Sequence, residues 1–74
     1  MQLIKIYVRE LFQKDRLFII NCQNRVDIFL QQMAPVENHH YQRAFYCLEN
    51  GCFLDSTKTF QENKIVPFDH LILI

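Results

Sequence analysis

The stretch Asp69-His70-Leu71-Ile72-Leu73-Ile74 decides the fold. Its four successive aliphatics lack the alternation of a half-exposed strand. They read as a strand covered on both faces, and such a strand belongs in the middle of a sheet. The sequence stops at Ile74, so this last strand is expected to be a structural element rather than a tail held out for chemistry.

Working back from that strand, residues 3–9 alternate. Ile4, Ile6 and Val8 fall on one face, and Leu3, Lys5, Tyr7 and Arg9 fall on the other. Lys14-Asp15-Arg16 is a polar turn, and Leu17-Phe18-Ile19-Ile20 completes a first hairpin. Asn24 is placed to cap a helix, and Asp27 suits the positive end of its dipole. Val26, Phe29, Leu30 and Met33 keep the i, i+3, i+4, i+7 spacing of an amphipathic helix. Pro35 stops it, which leaves about nine residues, or roughly 14 Å. A polar loop from Val36 to Gln42 carries His39-His40. Arg43 to Leu48 reads as a third strand, and Asn50-Gly51 as a tight hairpin turn with positive φ angles. Cys52-Phe53-Leu54 is a short fourth strand. Thr59 to Ile65 is a loop or short helical turn anchored by Phe60 and Ile65, and Pro67-Phe68-Asp69 turns the chain into the final strand.

The 74 residues make one domain, 1–74. Half are apolar and ten are aromatic, enough for a core without an obvious staple. One glycine and two prolines argue against disorder. Eight basic residues balance eight acidic ones, with no basic run to displace counterions from nucleic acid. A near-zero net charge also favours association, so a monomer or weak homodimer is expected. The alternating start Met1-Gln2-Leu3-Ile4-Lys5 is not expected to act as a signal peptide, no apolar run of these residues reaches membrane-spanning length, and three cysteines without a framework spacing suit a reducing cytoplasm.

The element order is hairpin, helix, short hairpin, final strand. The last strand needs cover on both faces, and the simplest place for it is beside and parallel to the first. The helix then packs across one face. This is an α+β, β-grasp architecture: a mixed sheet of four to five strands with one helix, in the order ββαβββ.

Several stretches resemble the ubiquitin-like superfamily. Met1-Gln2-Leu3-Ile4 is similar to the start of ubiquitin. Leu54, Thr59-Phe60, Ile65 and Leu71 match the apolar spacing of its second half, with Phe60 where the pattern has Leu. Phe60, Ile65, Phe68-Asp69, Leu71 and Ile74 look most like the ends of the small bacterial YukD/EsaB-type proteins of type VII secretion systems. Those have Gly-Asp where this chain has Phe68-Asp69. The resemblance implies a cytoplasmic, non-catalytic ubiquitin-like domain that binds protein, as an accessory or regulatory component of such a system. Conjugating members of the superfamily carry a flexible Gly-Gly tail, and no such tail follows Leu73-Ile74 here. Two alternatives remain open: a modifier or sulfur carrier whose tail lies beyond this sequence, and an unrelated β-grasp inhibitor or immunity-type binder.

No enzyme chemistry is expected. Cys52, His70 and Asp69 could be assembled into a nucleophilic set only on paper, and Asp69-His70 reads better as a turn whose Asp caps backbone N–H groups. Cys22, Cys47 and Cys52 with His39, His40 or His70 lack a zinc-knuckle spacing, so neither a metal nor a cofactor is expected. Cys47 and Cys52 flank the Asn50-Gly51 turn and read as small core hydrophobes. The surface remains. Ubiquitin-like folds bind partners on the open sheet face around strands 3 and 4. Here that region offers Arg43, Phe45 or Tyr46, Leu48 and Phe53. Alternation turns one of Phe45 and Tyr46 outward, and the polar end of tyrosine favours Tyr46. Arg43, Tyr46, Leu48 and Phe53 are therefore the candidate protein-binding residues.

Overall fold

The computed structural model describes residues 2–33 and 43–74. In chain order its elements are β1 (Leu3–Glu10), β2 (Arg16–Asn21), α1 (Val26–Met33), β3 (Phe45–Cys47), β4 (Cys52–Phe53) and β5 (His70–Leu73). The strands form one sheet in the order β2-β1-β5-β3-β4. β5 lies at its centre, parallel to β1 and antiparallel to β3, as the aliphatic run requires. Leu71, Ile72 and Leu73 are all buried, but Ile74, the fourth aliphatic of the run, lies past the end of the strand and is 48% exposed, so the expected cover reaches only three of the four.

The core lies between the sheet and α1. Ile4, Ile6 and Val8 of β1 meet Phe45, Cys47, Leu71 and Leu73 in it. Val26 is buried, and Phe29, Leu30 and Met33 pack on the core as the helical spacing predicts. Phe29 is the hub: its ring stands 5.5 Å from Phe18, 5.6 Å from Phe45 and 5.9 Å from Phe60. Aromatic pairs at such distances add attraction beyond their buried area.

The structure corrects several local expectations. Asn24 does not cap α1 with its side chain. The first free N–H groups, those of Val26 and Asp27, donate instead to the carbonyls of Lys58 and Ser56. A distant loop thus satisfies the helix end, and this is invisible in local sequence. The Asn50-Gly51 turn is not a two-residue turn. The loop spans 48–51, its closing bond runs from Gly51 N–H to the Cys47 carbonyl, and only Gly51 has positive φ there. The third strand is shorter than residues 43–48, and the fourth ends at Phe53 rather than Leu54. His70 belongs to β5 and not to the turn before it. The expected helix stop at Pro35 and the loop 36–42 with its two histidines lie outside the described residues.

Residues 59–65 form a single capped turn. Thr59 Oγ1 accepts from Glu62 N–H, and the Glu62 carboxylate accepts from Thr59 N–H, both at 3.0 Å. This is a reciprocal capping box. At the other end Lys64 takes φ +64°, Ile65 N–H donates to Phe60 carbonyl and Lys64 N–H to Gln61 carbonyl. That is a Schellman ending, with buried Phe60 and Ile65 as its apolar contact. The turn thereby plugs both anchors into the core, as expected of Phe60 and Ile65.

Glu62 and Asp55 are held below their ordinary values of 4.5 and 3.8 by hydrogen bonds from Thr59 and Thr57 respectively. A carboxylate depressed in the folded state contributes stability above its unfolded value, and the contribution fades as pH falls through the folded value. Thermal melting is therefore expected to be flat above about pH 5 and to weaken below it. Glu62→Gln should shallow that acid limb while leaving the fold intact, since Gln can still accept from Thr59 N–H. An acid limb of unchanged steepness in the variant would refute the assignment.

Candidate functional site

The open face of the sheet, opposite α1, carries the side chains of alternate residues. Tyr46 is half-exposed and Phe45 is buried beneath the sheet. Tyr46 opposes Phe53 across the β3–β4 pair, with ring centroids 5.1 Å apart and edge to face. Phe53 is 57% exposed, and Leu48, just past β3, is 45% exposed. The Tyr46 hydroxyl lies over the hairpin loop, 4.0 Å from where a Cβ at Gly51 would sit. Three of the four expected residues thus share one end of the open face. Arg43 stands apart. It has the parity of the buried Phe45 and Cys47, and its guanidinium is 3.1 Å from the Glu10 carboxylate at the end of β1.

Four residues outside that set extend the face. Tyr7 pairs with Leu17 on one side and His70 on the other, and its ring stacks on His70 at 4.8 Å. Phe68 adds a further ring 6.3 Å from Tyr7. Ile72 lies between Arg9 and Tyr46 in register. The signal for Tyr7 is present in the β1 alternation. His70 and Ile72 needed the parallel register of β5 against β1, which only the fold supplies.

A polar clasp borders this face. Glu49, in the loop after β3, accepts from the His70 backbone N–H at 2.7 Å and meets His70 Nδ1 at 2.5 Å. Burial raises the Glu49 carboxyl, but the two hydrogen bonds from His70 outweigh it and the net direction is downward. The clasp ties the 48–51 loop to the central strand, and so fixes Leu48 relative to His70 and Tyr7.

Of the two hairpin cysteines expected in the core, Cys47 is buried but Cys52, on the edge strand, is exposed; Cys22 is buried as well. Asp69 is buried, and its Oδ2 accepts from Val66 N–H at 3.0 Å, the turn-capping role expected of it. His70 is turned toward Glu49. Among the described residues no three His, Cys, Asp or Glu side chains cluster as metal ligands would. A groove of about 400 Å³ runs between β2 and α1, lined by Ile19, Ile28, Phe29 and Met33 with Asn21 and Gln32. Among the described residues no helix is long and apolar enough to cross a membrane.

No protein-family model and no curated sequence matches the chain. Solved structures do. One, described as molecular mimicry of SUMO that promotes DNA repair, is 18% identical, with a TM-score of 0.74 over 100% of this chain and 92% of that one. A second, the solution structure of the ubiquitin-like domain of an Arabidopsis thaliana protein, is 16% identical, with a TM-score of 0.69 over 100% of this chain and 78% of that one. At these identities the likeness speaks for the fold alone. Together with the central parallel strand and the helix packed on one face of the sheet, it shows that this chain has the ubiquitin-like β-grasp fold.

Proposed function

We propose that the chain is a non-catalytic protein-binding module that docks its partner on the open sheet face at Tyr46, Leu48 and Phe53. The observation that carries this reading is the exposed Phe53 with half-exposed Tyr46 packed edge to face against it, beside exposed Leu48. The fold gains little from burying these groups. Aromatic residues presented on a rigid strand lose little entropy on binding, and they dominate interface energies. The Glu49–His70 clasp supports the same reading, since it holds the loop that carries Leu48.

The double variant Tyr46→Ala, Leu48→Ala is expected to keep the parent's circular dichroism and melting. It should lose about tenfold or more in affinity for the partner recovered from the native host. Undiminished capture by a folded variant would sink this surface.

The narrower role is that of a cytoplasmic accessory or regulatory component of a bacterial type VII secretion system. Its support is the resemblance over residues 54–74, to which the turn at Phe68 adds. Where the YukD/EsaB pattern has Gly, Phe68 takes φ +68°, the left-handed backbone that glycine favours. Genes for secretion components beside the coding sequence, and their recovery with the protein, are the expected results. A neighbouring toxin gene would instead favour an immunity-type binder. A reading frame continuing past Ile74 into Gly-Gly would favour a modifier or sulfur carrier.

A further inference from the structure

Cys47 and Cys52 oppose one another directly across the β3–β4 pair, and both thiols are free. Directly opposed residues of an antiparallel pair project from the same face of the sheet. Their Cα atoms stand about 4.5 or 5.5 Å apart, according to their place in the ladder. Either distance falls inside the roughly 4.4–6.8 Å that a disulfide spans. The two thiols differ in access. β4 is an edge of the sheet, so Cys52 is exposed, while Cys47 is fully buried. The third cysteine belongs elsewhere: Cys22 follows β2, the opposite edge, and is buried with its Sγ 3.4 Å from Gln2 Oε1.

We infer that Cys47 and Cys52 form a redox-modification site, at which a low-molecular-weight disulfide such as oxidised glutathione enters at Cys52 and is displaced by Cys47. In the first step the Cys52 thiolate attacks one sulfur of the small disulfide. A mixed disulfide forms at Cys52 and one small thiolate leaves. In the second step the Cys47 thiolate attacks Cys52 Sγ, the protein disulfide forms, and the second small thiolate leaves. Two protein thiols are oxidised, one small disulfide is reduced to two thiols, and the two protons pass to the departing thiolates. The order of attack follows from access and from acidity. Burial pushes the Cys47 thiol above its ordinary value of 9.0, which makes it the poorer first nucleophile. Once the adduct sits at Cys52, attack is intramolecular between cross-strand neighbours and needs little further motion.

The closed bond would clamp the hairpin bearing Tyr46, Leu48 and Phe53. That consequence rests on the docking reading, whereas the modification does not.

The test uses the reduced full chain with oxidised glutathione, read by intact mass and peptide mapping. The expected product has lost two hydrogen atoms and links the Cys47 and Cys52 peptides, with Cys22 still alkylatable after unfolding. Cys52→Ser should remain unmodified at Cys47 while folded. Cys47→Ala should stop at a stable glutathione adduct on Cys52. If the buried Cys47→Ala substitution unfolds the chain, early time points of the parent replace it, and there the Cys52 adduct should precede the linked product. A parent chain that halts at the Cys52 adduct, or links either cysteine to Cys22, overturns the proposal.

Discussion

Phe60→Ala is expected to lower the unfolding midpoint by an amount corresponding to about 3–5 kcal/mol of stability. Phe60 is 1% exposed, packs edge to face on Phe29 and supplies the apolar contact of the capped turn at 59–65. Removing a buried phenylalanine ring costs about 3–5 kcal/mol, because the lost transfer energy is joined by the cavity left behind. At about 0.05–0.15 kcal/mol per residue, a chain of this length has only about 4–11 kcal/mol in total. The loss therefore takes about a quarter of the stability or more, and at the lower end all of it. Phe60→Leu is the discriminating control. Leucine is the residue the ubiquitin pattern has at this place, and it keeps most of the volume, so its expected cost is about 1–1.5 kcal/mol. Urea unfolding followed by circular dichroism measures both as shifts in midpoint at constant slope. Equal midpoints for the two variants would mean that the ring is not the anchor described here.

What the sequence made readable follows from the range of each signal. β5 is legible because an unbroken aliphatic run asks for cover on both faces, which Leu71, Ile72 and Leu73 receive at the centre of the sheet while Ile74, past the strand, does not. The α1 stripe and the β1 alternation are equally local, and the burial of Ile4, Ile6, Val8 and Val26 agrees with them. The helix start is not legible, because Val26 and Asp27 donate to the carbonyls of Lys58 and Ser56, far downstream in the chain, and Asn24 loses to them. Phe68 is illegible for a different reason. Residue preference argues against a phenylalanine at positive φ, but the turn is held from both sides by tertiary bonds. Phe68 N–H donates to the Lys5 carbonyl, and Tyr7 N–H donates to the Asp69 carbonyl. Phe12 and Lys64 also take the left-handed region, Lys64 within the local Schellman ending, each at a cost that residue preference argues against. The candidate docking face divides along the same line. Tyr46 and Phe53 are readable from alternation. Tyr7 and His70 come together only through the parallel pairing of β1 with β5.

Proline at Ile20 is expected to unfold the chain, while proline at Ile19, one residue away, is expected to be tolerated. The contrast follows from which backbone groups of β2 face its one neighbour. Cys22 N–H donates to the Gln2 carbonyl, so residues 2 and 22 are a hydrogen-bonded pair. In the same register Ile4 opposes Ile20 and Ile6 opposes Phe18. Hydrogen-bonded pairs recur at every second residue, so even-numbered residues of β2 bond β1. The other side of β1 agrees: Tyr7 N–H donates to the Asp69 carbonyl, toward β5, as an odd-numbered residue should. Ile19 therefore directs its N–H outward from an edge of the sheet, with its side chain largely exposed. A proline there removes a donor that only water was using, and edge positions are where sheets accept it. Its cost should stay near 1 kcal/mol. At Ile20 the proline removes a ladder bond, leaves the Ile4 carbonyl unpartnered beside the core and deletes most of a buried aliphatic. Those losses sum to about 4 kcal/mol or more. Urea midpoints of the two variants decide the matter. Two equally damaged proteins would show that β2 is not the edge of the sheet, and two equally sound ones would show that it does not pair with β1 in this register.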